Sequence, residues 1–191
     1  MKKVEIISAL LGDVALPLAG FLFWDWGFYF ISLFFLFDLF FRTLFLRRRL
    51  TPLIELENRN RILFKGFLFT FLEVLLIHCI VIGTFAELSI GDSFMAFLSY
   101  EELGVSQGVV LLPLLLLNEL MKMRNENKMG VPYSVRAQVI LNTQNIQRYR
   151  IVLWVLLYLI VLFFPVDELV LISTFFIFFV VQPFLVFRNI N

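Results

Sequence analysis

FLFWDWGFYFISLFFLFDLFFRTLFLRRR, residues 21–49, sets out the grammar of a helical membrane chain in one stretch. Its middle, 27–46, supplies the roughly 20 predominantly apolar residues that a helix needs to cross a hydrocarbon core. Trp24-Asp25-Trp26 precedes it as a tight aromatic turn of the kind placed at a membrane–water interface, and Arg47-Arg48-Arg49 closes it with a basic stop.

Working outward, the same pattern recurs. Apolar spans fall at 4–24, 27–46, 62–85, 105–121, 151–164 and 169–187. The expected fold is an all-α integral membrane protein, a bundle of six transmembrane helices forming one membrane domain over 1–191. Composition agrees: the 191 residues are 61% hydrophobic and only 16% charged, with 25 Phe and a mean hydropathy of +0.91. A soluble domain carries about a quarter charged residues. Met1-Lys2-Lys3 resembles the start of a signal peptide. However, Glu5, Asp13 and the missing small-x-small cleavage site favour a retained first span.

With six spans and both termini cytoplasmic, all sixteen Lys and Arg fall on one side, and the outer loops hold Asp25, Glu87, Asp92, Glu101, Glu102, Asp167 and Glu168. That asymmetry sets orientation and places the chain in a plasma membrane, the bacterial inner membrane being the expected one. The acidic loop 86–104 contains Phe94-Met95-Ala96-Phe97-Leu98, which fits a short interfacial or re-entrant turn.

Residues 134–150 form a polar stretch in which Val135, Val139, Ile140, Ile146 and Tyr149 mostly recur at helical spacing. This predicts an amphipathic helix lying on the inner face between spans four and five. Arg47, Arg48, Arg49, Arg136, Arg148 and Arg150 are then the candidates for contact with anionic headgroups. The expected partners are those headgroups and other membrane proteins. Nucleic acid is not expected, because the basic residues are spread along a membrane surface.

The first four spans each hold one carboxylate: Asp13, Asp38, Glu73 and Glu119. A charge at the bilayer centre costs at least about 2.5–3.5 kcal/mol, so such residues face a bundle interior and find partners. Spans five and six lack ionisable residues in their cores, which suggests a polar-centred four-helix group flanked by a lipid-facing hairpin. Asp13 precedes Pro17 by four residues, and that proline frees the carbonyl of residue 13. Asp38 and Arg42 share a helix face at i,i+4 and can pair. Glu73 lies midway along its span; an isolated carboxylate there favours the neutral form, which suits a proton carrier and is also the cheapest way to tolerate a buried acid. His78 is expected as a hydrogen-bonded packing residue, and Asn118 with Glu119 and Lys122 as an inner-rim polar cluster.

Several chemistries are excluded. Cys79 is the only cysteine, His78 the only histidine, and no Walker A pattern occurs. No catalytic residue, metal site or cofactor is expected. The expected function is that of a non-enzymatic subunit or scaffold of a membrane complex. The alternative is a proton- or cation-coupled transporter or channel using the intramembrane carboxylates. A third reading, a lipid-modifying membrane enzyme, requires a groove where Arg47 to Arg49 approach Glu119 or Asp38.

Overall fold

A computed structural model describes residues 14–50, 56–99, 107–128 and 132–187. Among these the fold is all-helical, with seven helices and no strand: α1 (Leu16–Phe23), α2 (Phe28–Leu50), α3 (Leu56–Thr84), α4 (Ile90–Ser99), α5 (Gln107–Lys128), α6 (Tyr133–Phe163) and α7 (Glu168–Phe187). Three helical stretches, Phe28–Leu50, Asn58–Thr84 and Ser134–Phe163, are long and apolar enough to cross a membrane. Asp13 lies outside the described residues.

Helix α2 is the central post. It packs against α1, α3, α4, α5 and α7, and Phe28, Tyr29 and residues 31–36 are all buried. Paired contacts give the helix directions. Tyr29 meets His78 while Thr43 meets Thr70, so α2 and α3 are antiparallel. Thr70 meets Gln147 and Gly83 meets Val161, so α3 and α6 run parallel. Arg150 meets Gln182 and Trp154 meets Phe175, so α7 returns antiparallel to α6. Arg47 to Arg49 and the first halves of α3 and α6 therefore share one end of the bundle. The α1–α2 turn and the α6–α7 turn share the other.

The α3–α6 seam is the most extensive contact. On α3 the buried positions Gly66, Thr70, Glu73, Ile77 and Ile80 alternate spacings of four and three, the repeat that keeps one stripe facing a neighbouring helix. A methyl on Gly66 would stand 2.8 Å from Leu46 Cδ2, and one on Gly83 would stand 2.9 Å from Val161 Cγ1. Small residues at these points let the helices approach closely. The outward face of the same helix exposes Phe64, Phe67, Phe71, Leu75 and Ile82. Contiguous exposed apolar side chains on this scale are uncommon on a soluble monomer.

Two sequence expectations change here. The separate amphipathic helix at 134–150 and the short span 151–164 are one continuous 31-residue helix, α6. Nothing between Tyr133 and Phe163 breaks it, since Gly and Pro are absent there. Its polar residues Gln144, Gln147 and Arg150 turn inward onto α3, while Leu141, Tyr149 and Val152 face outward. Part of the polar pattern thus records a helix–helix contact, while Gln138, Asn145 and Arg148 stay exposed. Nor is the last hairpin peripheral: Trp154 of α6 is fully buried, against Phe175 of α7.

The turn at Trp24-Asp25-Trp26 forms as expected. Asp25 adopts φ 53°, and the Gly20 carbonyl accepts hydrogen bonds from the backbone N–H groups of both Trp24 and Trp26. Gly20 is needed because the Trp26 ring lies where its Cβ would be. Helix α4 stands against α2: Phe97 packs on Trp26, Phe30 and Phe37, and Phe94 on Phe37. Phe37 is about 14 Å along α2 from its first residue at 1.5 Å per residue. The short helix therefore reaches well down the flank of the bundle.

The N-terminus of α2 is closed by a distant acid. Glu168 Oε1 accepts the Phe28 backbone N–H at 2.7 Å, across 140 residues of sequence. A carboxylate there satisfies an otherwise unmatched donor and the positive end of the helix dipole. Glu168→Ala is expected to lower stability by about 1 kcal/mol, read as an earlier thermal transition in nanodiscs. An unchanged transition would show that the cap carries no stability.

Candidate functional site

The polar interior centres on Glu73 and Arg150. Arg150 donates from Nε to Glu73 Oε1 at 2.8 Å, and Nη2 stands 2.8 Å from Oε2. The second approach is an ion pair rather than an aligned hydrogen bond. Nη1 donates to Gln182 Oε1 on α7 at 2.9 Å. The guanidinium carbon lies 4.7 Å from the Phe35 ring centroid on α2 and 6.0 Å from that of Phe179 on α7, a cation–π arrangement. One side chain thus ties together α2, α3, α6 and α7. Glu73 is 0% and Arg150 3% exposed.

A chain of neutral hydrogen bonds continues from this pair. Thr43 on α2 donates back to the Leu39 carbonyl at 2.9 Å. Its single proton being so used, Thr70 donates to Thr43 at 2.8 Å, and Thr70 in turn accepts from Gln147 Nε2 at 3.4 Å. The direction runs Gln147 to Thr70 to Thr43 to Leu39, crossing three helices. Nearer the basic end, Gln144 donates to the Ile62 carbonyl at 2.8 Å.

A second ionic cluster joins α2 and α5. Glu119, 1% exposed, lies 3.1 Å from Lys122 Nζ, 3.8 Å from Arg42 Nε and 4.0 Å from Arg49 Nη1. Arg42 also pairs with Asp38 at 2.7 Å. Two acids and three bases meet here, one positive charge in excess, with the bases reaching outward.

The sequence candidates separate accordingly. Asp38, Arg42 and Glu119 come together, joined by Arg49. Asn118 is half-buried beside Glu119 in sequence. Glu73 stands in the other cluster. His78 accepts at Nε2 from the Tyr29 hydroxyl at 3.5 Å, because its Nδ1 proton goes to the Val74 carbonyl at 2.7 Å. Arg47, Arg48 and Arg148 are exposed, and Arg136 is half-buried. Arg150 is the correction. Its place in the sequence suggests headgroup contact, yet it is buried beside aromatic rings as the partner of Glu73. Counting 150 as the residue before a span hid its depth. The roles of Gln147, Thr70, Thr43 and Gln182 were also missed. One available signal was that spans three and five must cross in the same direction, which lets Gln147 and Arg150 face Thr70 and Glu73.

Among the described residues no group of His, Cys, Asp and Glu is arranged to hold a metal ion. Arg49 does approach Glu119, as the enzyme reading requires, but that carboxylate is sealed and shared by three cations. No protein-family model, curated protein or solved structure matches the chain.

Proposed function

We propose that the chain is a six-span membrane protein with both termini cytoplasmic, working as a non-enzymatic subunit or scaffold of a complex in a plasma membrane, the bacterial inner membrane. The observation that carries the reading is the sealed Glu73–Arg150 pair. Its charges are met by each other and by groups on two further helices, Phe35 of α2 and Gln182 and Phe179 of α7, which suits locking a bundle. An ion-coupled transporter needs a carboxylate that meets water and changes partner. The helix directions support the topology, because they gather the described Lys and Arg other than Arg150 toward one end and Asp25, Asp167 and Glu168 at the other. The exposed Phe64–Phe67–Phe71 stripe offers a flank for a neighbouring membrane protein.

The test is reconstitution of the full chain in proteoliposomes under imposed proton, Na⁺ and K⁺ gradients. Fluxes equal to those of protein-free vesicles are expected. A flux that disappears in Glu73→Gln would overturn the scaffold reading in favour of transport. In parallel, a photocrosslinker at Phe71 in native membranes should yield one discrete protein adduct. Adducts to lipid alone would count against a subunit role.

A further inference from the structure

Between the first halves of α3 and α6, a half-open groove of about 450 Å³ lies on the basic end of the bundle. Arg61 and Lys65 line it from α3, one helical turn apart, and Arg148 lines it from α6. Asn58 and Asn145 add side-chain amides, and no acidic residue is among its walls. Among the described residues no carboxylate stands within ion-pair distance of Arg61, Lys65 or Arg148. All three are exposed. This contrasts with the other cluster, where Arg42, Arg49 and Lys122 each stand within 4.0 Å of Asp38 or Glu119. Three converging cations with amide donors are a site for a compact, oxygen-rich anion, and a phosphate fits that description.

The remaining wall distinguishes one source of phosphate from another. Along α3 the lining passes from Asn58 through Arg61 and Lys65 to Phe69, so it turns apolar toward the middle of the bundle. Leu141 forms an apolar edge on α6 and is 40% exposed. Gln144, held by the Ile62 carbonyl, fixes the spacing of the two helices behind the groove. A free phosphate has no use for an apolar extension. A glycerophospholipid has one, because its acyl chains descend from the phosphate. The volume falls within the range of about 300–1,000 Å³ typical of small-molecule sites.

We propose that this groove binds the phosphate of an anionic glycerophospholipid, with the acyl chains passing Phe69 along the flank of α3 and α6. The site assigns new roles to Arg61 and Lys65, and among the basic residues first considered for headgroup contact it singles out Arg148. It stands independently of any protein partner.

The experiment is native mass spectrometry of the full chain released from mixed micelles containing phosphatidylglycerol or phosphatidylcholine at equal concentration. One retained phosphatidylglycerol per chain is expected, in clear preference to phosphatidylcholine. Arg61→Gln with Lys65→Gln and Arg148→Gln should lower that affinity on the order of 100-fold, whereas Arg124→Gln, at an exposed position of α5, should leave it unchanged. Leu141→Glu keeps all three cations but places an acid in the groove. It should abolish the preference too, so a folding failure of the triple variant does not decide the matter. Equal retention of the two lipids, or a preference that survives both groove variants, would overturn the proposal. So would displacement of the lipid by millimolar inorganic phosphate with no residual preference, which would mark a site for the free anion.

Discussion

Arg150→Leu is expected to destabilise the protein by about 3–5 kcal/mol, the largest single effect at any site described. The substitution leaves the Glu73 carboxylate fully buried, with no cation, and strips Gln182 of its donor. Glu73→Leu should cost a similar amount by leaving the guanidinium uncompensated between Phe35 and Phe179. Combining Glu73→Leu with Arg150→Leu should recover most of the loss, because a buried pair replaced by apolar side chains is often close to neutral. The double variant then separates the pairing from the packing. Unfolding free energies in mixed micelles titrated with denaturing detergent would measure all three proteins. Single variants as stable as the parent would mean that Glu73 and Arg150 do not hold the bundle together.

Glu119→Leu should be the next most damaging change, at about 2–3 kcal/mol. It leaves Arg42, Arg49 and Lys122 facing one another with Asp38 as the remaining described acid of the cluster. The loss is smaller than at Arg150 because these side chains are 24%, 19% and 30% exposed and can turn toward water. For the same reason it should depend on ionic strength, whereas the Arg150 loss should not. Detergent-unfolding curves in low and high salt give both the ranking and the salt response. A Glu119→Leu loss equal to that of Arg150→Leu and insensitive to salt would contradict the description of this cluster as partly open.

The sequence was most legible where one residue type could serve one purpose. The aromatic turn at Trp24-Asp25-Trp26 and the Asp38–Arg42 pair were readable because both depend on neighbours within a few residues. Glu119 with Lys122 was readable for the same reason. The partner of Glu73 was not, since it stands 77 residues away. No basic residue lies within four positions of Glu73, so its neighbours in sequence leave it isolated. Residues 134–150 show the deeper ambiguity. Helical periodicity reports that two faces differ, but not which face meets a neighbour. Here Gln144, Gln147 and Arg150 face inward while Gln138, Asn145 and Arg148 stay exposed, so one polar stretch serves both a helix contact and an open face. The groove at Arg61, Lys65 and Arg148 was hidden for a related cause: it needs two helices that are distant in sequence to run side by side.

The spacing of Glu73 and Arg150 along the chain also imposes an order on biogenesis. A ribosome adding about 5–20 residues per second takes roughly 4–15 s to travel from one to the other. Throughout that interval the acid exists and its guanidinium does not. During it α3 lacks the cation that its buried carboxylate meets in the finished bundle, so the Glu73 contact closes only once α6 has been made.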